Sequence, residues 1–159
     1  MTTNTMVAIQ SYTVSGSAVT NFTWSSIPQT YTDLVMVTNT FTSSGSGNGI
    51  GIQFNGDTGS NYSFTFMYGD GSSAGSGRGS NATNGQVDRI YQYGVGTTHF
   101  MNYSNTTTYK TVLSRGNTNA ETFAWVNLWR STSAINSIKV FTNNGSNFNV
   151  GSTFTLYGI

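Results

Sequence analysis

The stretch Thr122–Arg130, reading TFAWVNLWR, constrains this chain more than any other. Successive side chains of a strand point to opposite faces. Phe123, Trp125, Asn127 and Trp129 would share one face, and Ala124, Val126 and Leu128 the other. A half-exposed strand alternates apolar with polar residues. This one is apolar on both sides, so both sides need cover. One cover is the second sheet of the same domain; the other is a loop, a ligand or another subunit. The flatter aliphatic row suits sheet-on-sheet packing. The expectation is therefore that Ala124, Val126 and Leu128 face the core. Phe123, Trp125 and Trp129 would then form a subunit interface, where aromatics are enriched. The opposite orientation, with the tryptophans in the core, is the alternative.

The rest of the chain repeats short apolar runs broken by turn residues. Met6–Ser15, Ala18–Ser25, Thr32–Thr40, Gly49–Asn55, Tyr62–Tyr68, Gln86–Gly94, His99–Tyr103, Tyr109–Arg115, Ile135–Thr142 and Thr153–Ile159 all read as strands. Ser15-Gly16-Ser17 and Gly116-Asn117-Thr118-Asn119 are spaced for hairpins. Gly151-Ser152 reads as a bulge. No segment carries a helical period with caps. Phe41–Asn48 reads as a flexible loop, and Gly69–Gly85 as a long Gly/Ser-rich surface loop that can bury little. The 159 residues suit one domain spanning 1–159. The expected fold is all-β: a two-sheet antiparallel β-sandwich of eight to ten strands, with a jelly roll favoured over an immunoglobulin-like sandwich.

Composition narrows function by exclusion. There are no cysteines, so no disulfide, thiol nucleophile or cysteine metal site exists. Six Lys and Arg against five Asp and Glu are scattered, without the basic patch of a nucleic-acid binder. No apolar run is long enough to be a membrane span or a signal-peptide core. The single histidine, His99, has no G-x-S-x-G nucleophile motif beside it. Asn55, Asp57 and Asn61 sit at the alternate positions of half a calcium loop, but Phe66 stands where the bidentate Glu belongs, so an Asx-type turn explains them better. Asp33, Asp57, Asp70, Asp88 and Glu121 are the acids available for glycoside hydrolysis, which needs a pair. Their settings read as structural. Trp24, Trp125 and Trp129 could stack on a sugar, yet their strand spacing suits packing better. No catalytic residue, cofactor site or metal site is expected, and the chain does not read as an enzyme.

Four stretches carry a resemblance. They are SIPQTYTDLV (residues 26–35), QFNGD (53–57), LWRSTSAINSI (128–138) and the terminal GSTFTLYGI (151–159). Together they resemble a group of small virion structural proteins from tailed phages of aquatic bacteria, including cyanobacteria. Residues 41–49 and 72–100 carry none of the motifs. The resemblance implies a virion part with no catalytic residues, made in the host cytoplasm. A capsid decoration (cement) protein is the leading expectation. It would be a homotrimer in contact with the major capsid protein or other virion proteins, without nucleic acid or membrane. The absence of a shaft of repeats or heptads favours a free-standing part. The alternative is a receptor-binding module of a tail fibre or appendage, with the Gly69–Gly85 loop and exposed tyrosines contacting host cell-surface glycans.

Overall fold

A computed structural model describes residues 5–42, 48–90, 92–143 and 145–159. Most of the loop expected at Phe41–Asn48 lies outside these residues. The described chain is all-β, with no helix. It forms β1 (Val7–Thr13), β2 (Asn21–Trp24), β3 (Leu34–Phe41), β4 (Asn48–Phe54), β5 (Tyr62–Gly69) and β6 (Ala74–Ala82). After these come β7 (Gly85–Ile90), β8 (Tyr93–Met101), β9 (Lys110–Thr118), β10 (Thr122–Trp129), β11 (Ile138–Thr142) and β12 (Thr153–Gly158).

Two antiparallel sheets face each other. One has the order β1-β12-β3-β8-β9-β10-β5-β6, the other β2-β11-β4-β7. The first four strands of the large sheet and the whole small sheet are nested pairs: β1 with β12, β2 with β11, β3 with β8, β4 with β7. Consecutive pairs alternate between sheets. That is the connectivity of a jelly roll, as the strand pattern favoured. Two hairpins extend it on one side. The pair β9–β10 leaves the roll after β8, and β5–β6 is inserted between β4 and β7.

The core fills the space between sheets. Leu34, Met36, Phe100, Val112, Phe154 and Leu156 point inward from the large sheet, and Phe22, Trp24, Ile52, Phe54, Ile138 and Val140 from the small one. The rings interlock: Phe22 meets Phe154 at 4.7 Å, and Phe54 meets Phe100 at 5.9 Å, edge to face. Such pairs add packing energy beyond their buried area.

The segment expected as a long loop is instead mostly β6, joined to β5 by a tight turn at Asp70–Ser73. The Asp70 amide donates to the Ser73 carbonyl at 3.1 Å. Asp70 Oδ1 in turn accepts the amides of Ser72 and Ser73 at 2.8 and 2.6 Å. Those amides, Ser73 first, hold its carboxyl well below the usual carboxylate range. Strand formation here has a steric cause. Phe64, Phe66 and Tyr68 of β5 pair with Gly79, Gly77 and Gly75 of β6. Each ring occupies the space a side chain on its glycine would need; a Cβ on Gly77 would lie 2.6 Å from Phe66 Cζ. Aromatic rings from one strand thus cover glycines of the next, an arrangement that steadies otherwise weak glycine positions.

Gly77→Ala should consequently lower stability by about 1–3 kcal/mol, the usual range for overpacking. The neighbouring outward change Ser76→Ala should stay within about 0.5 kcal/mol. Thermal melts of both variants check the pair. Equal effects would mean that the rings do not rest on the glycines.

Candidate interaction surface

The structure turns β10 over relative to the favoured expectation. Phe123, Trp125 and Trp129 are 5%, 3% and 2% exposed within the single chain. Trp129 packs on Phe54 and Tyr62, at centroid distances of 5.2 and 6.3 Å. Trp125 stacks on Phe66 at 4.2 Å. The three residues proposed for a subunit interface are therefore interior, and none has surface left for a neighbour. Trp24, at 4% exposure, is equally unavailable as a sugar-stacking platform. The physical reason is volume. The cross-strand partners on this face are Tyr62, Phe64, Phe66 and Tyr68 on β5, and β7 packs over β9 and β10. The tryptophans fill a deep gap that aliphatic side chains would leave open.

Ala124, Val126 and Leu128 point away from the core. Val126 is 49% exposed and its cross-strand partner Leu113 on β9 is 42% exposed. The same outward row continues through His99 on β8, Val35 on β3 and Tyr157 on β12. The parallel row holds Met67, Ala124, Arg115, Thr97 and Val37. Met67 is 64% exposed. One hollow on this face is lined by Val35, Val37, His99, Leu113, Arg115 and Ile159, among others. The outer face of the sheet thus interleaves apolar side chains such as Val35, Val37, Leu113, Val126 and Met67 with Thr65, Thr97, Thr111, Thr122 and Thr155. Its charges are few: Arg115, Arg78 near the β6 edge, and Asp33 paired with His99.

The candidate chemical groups resolve into structural ties. His99 Nε2 lies 2.7 Å from Asp33 Oδ2, and Asp33 Oδ1 accepts the Asn102 amide at 2.6 Å. Among the described residues no serine hydroxyl bonds this ring, so there is no Ser-His-Asp arrangement. Asp57 accepts Trp129 Nε1–H at 2.7 Å, the Gly59 amide at 2.8 Å and Asn61 Nδ2 at 3.0 Å. Burial pushes its pKa up, but the bonds from Trp129, Asn61 and Gly59 together outweigh that and hold it low. Asn55 donates to Ala134 O at 2.8 Å and accepts the amides of Asn136 and Ser137 at 2.9 and 3.2 Å. The Asn55 and Asp57 side-chain oxygens are thus committed to the fold, and Asn61 meets Asp57 through its amide nitrogen. No group of three metal-ligating side chains occurs among the described residues. Glu121 pairs with Arg89 at 3.0 Å, and the Arg89 guanidinium sits 4.8 Å from the centre of the Tyr68 ring.

The four resembling stretches meet at one end of the sandwich. Ile27 N bonds Asn136 O, and Gln29 Nε2 bonds Ile135 O. Tyr31 lies against Gly158, where a Cβ would fall 2.3 Å from the ring. Thr32 and Asp33 amides bond Ile159 O. Asn55 and Asp57 tie to residues 129–137 as described above. These stretches thus encode one interlocked end of the fold.

No protein-family model, curated protein or solved structure matches the chain.

Proposed function

We propose that this chain is a virion structural protein that works by covering and joining surfaces, as a capsid decoration protein does. The observation that carries the proposal is the outer face of the large sheet. It is broad and poor in charge, and its exposed Leu113, Val126 and Met67 give it apolar contact points of the kind that mark interaction sites. Two further features support the reading. Of the acids that could have formed a reaction centre, Asp33, Asp57, Asp70 and Glu121 are engaged in fold-holding bonds, and Asp88 is buried between the sheets. The stretches resembling small phage virion proteins form one packed structural unit. Jelly rolls recur in viral capsid domains, in lectins and in cupins, so the fold by analogy suits both a shell part and a glycan binder. The receptor-binding alternative loses the long loop on which it relied, because that segment is strand β6.

The test is quantitative mass spectrometry of purified virions from a phage encoding this chain, followed by reconstruction of the particle. Hundreds of copies per particle, placed on the head, are expected. A handful of copies at the tail would turn the assignment to the receptor-binding module. Absence from the particle would sink both.

A further inference from the structure

Strand β7 is held to the sandwich differently from its neighbours. It is an edge of the small sheet, with β4 on one side and no strand on the other. Of its described side chains, Val87 alone is both apolar and buried. The other strands of that sheet anchor two or more each: Phe22 and Trp24 on β2, Ile138 and Val140 on β11, and Ile50, Ile52 and Phe54 on β4. On β7, polar ties take the place of apolar packing. Asn127 reaches across from β10 and closes the free edge at Gln86. Its Oδ1 accepts the Gln86 amide and its Nδ2 donates to the Gln86 carbonyl, both at 2.7 Å. The side-chain amide thus makes the pair of bonds that a neighbouring strand would make. Toward the other end of β7, Arg89 Nε meets Glu121 at 3.0 Å.

Between these ties lies Asp88, buried against the large sheet. The row beneath it carries Thr38, Gly96, Gly116 and Phe123, and its ladder partner on β4 is Ile50. None of these titrates. The charged groups beside it are Arg89 on its own strand and Glu121 on the β9–β10 turn, and they pair with each other. Thr38 Oγ1 reaches Asp88 Oδ2 at 3.5 Å, while Oδ1 has no partner among the described residues. A carboxylate formed there is away from water and faces no cation, so an ionised Asp88 and a closed β7 oppose each other. Burial accordingly pushes its pKa up. Moving the strand relieves the conflict, and segments poor in buried apolar contacts open at the lowest free energy.

We infer that β7 is a strap that leaves the sandwich as a unit while the other strands stay folded, and that loss of the Asp88 proton releases it. Asn127 is the clasp on its free edge. The sign follows from linkage. The open strap carries an ordinary carboxyl of pKa about 4, whereas the closed one keeps its proton. Opening therefore releases a proton. Its equilibrium grows by up to about 10-fold per pH unit, from about pH 4 until Asp88 ionises in the closed state as well.

The test is residue-resolved hydrogen exchange on the full chain at pH 5, 6.5 and 8, corrected for the intrinsic rate at each pH. The amides of residues 85–89 should lose at least 10-fold in protection across that range, while those of β3 and β12 keep theirs. Asp88→Asn should abolish this loss. Asn127→Ala should speed exchange on β7 by roughly 10- to 100-fold at every pH, the effect of leaving Gln86 unpaired, and should keep the pH slope. Protection on β7 that does not fall with pH overturns the inference, as does an equal fall in every strand, which is global unfolding. A slope that survives Asp88→Asn removes the trigger, and unchanged β7 exchange in Asn127→Ala removes the clasp. Should Asn127→Ala fail to fold, the wild-type and Asp88→Asn profiles decide the matter by themselves.

Discussion

Trp129→Ala is expected to cost roughly 3–5 kcal/mol of folding free energy, the range seen when a buried large aromatic is cut to alanine. Three contributions fall together. The indole is 2% exposed and fills the space between Phe54 and Tyr62, so its removal leaves a cavity. Its Nε1–H donates to Asp57 Oδ2 at 2.7 Å, so a partly buried carboxylate loses a charge-assisted bond. That bond also fixes the turn after β4, whose Asn55 and Gly56 adopt positive φ angles of 53° and 71°. Trp129→Phe separates the terms. It keeps most of the ring and drops the donor, and should cost about 1.5–3 kcal/mol. The pH dependence has a definite sign. Asp57 has a lowered folded pKa, so its stabilisation is present above the unfolded value and is lost as pH falls through the folded value. Trp129→Phe should flatten that acid slope. Urea denaturation of dilute protein at several pH values reads all of this. If Val126→Ala proved costlier than Trp129→Ala under those conditions, the orientation of β10 would be wrong.

That orientation shows where sequence reasoning reaches and where it stops. The two-residue period of TFAWVNLWR identifies the strand and sorts its residues into two rows. It does not say which row faces inward, because both rows are apolar and the choice depends on volume supplied elsewhere. The deciding partners are the β5 aromatics, which sit opposite Trp125 and Trp129 only after the chain has folded. The same limit hid β6. Gly and Ser lower strand propensity, so AGSGRGSNA reads as a loop when taken alone. The legible signal was the match of two alternations, Phe64-x-Phe66-x-Tyr68 against Gly75-x-Gly77-x-Gly79, in segments a short turn apart. The bond of His99 to Asp33 and that of Trp129 to Asp57 join positions 66 and 72 apart, beyond any local pattern. The Asx-turn reading of Asp57, by contrast, needed only its spacing and glycines, and its Oδ1 does accept the Gly59 amide, whereas the Asn55 side chain reaches across to residues 134–137.

Asp88→Asn is expected to raise stability at alkaline pH by several kcal/mol, the effective penalty for burying an uncompensated ion. Asp88 lies on β7 between the two sheets and is 2% exposed. Thr38 Oγ1 approaches its Oδ2 at 3.5 Å, while Oδ1 has no hydrogen-bond partner among the described residues. Room for the carboxyl comes from Gly96 on β8, where a Cβ would stand 2.8 Å from Oδ2. The adjacent guanidinium of Arg89 is directed to Glu121 and Tyr68. Burial pushes the Asp88 pKa well above the usual carboxylate range, with the bonds from the Arg89 amide and Thr38 opposing it only in part. The folded state therefore holds this proton at pH values where the unfolded chain has released it. The resulting stabilisation is full below the unfolded value of about 4 and disappears as pH rises through the folded value. Asparagine has no charge to expose and still offers an oxygen to Thr38. The wild type should lose stability toward alkaline pH, and the variant should lack that part of the slope. Below about pH 4 the two should agree to within about 1 kcal/mol, since both side chains are then neutral. Denaturation curves collected from pH 3 to 10 decide the matter. Two parallel profiles separated by a constant offset would mean that Asp88 does not bind its proton more tightly in the folded protein.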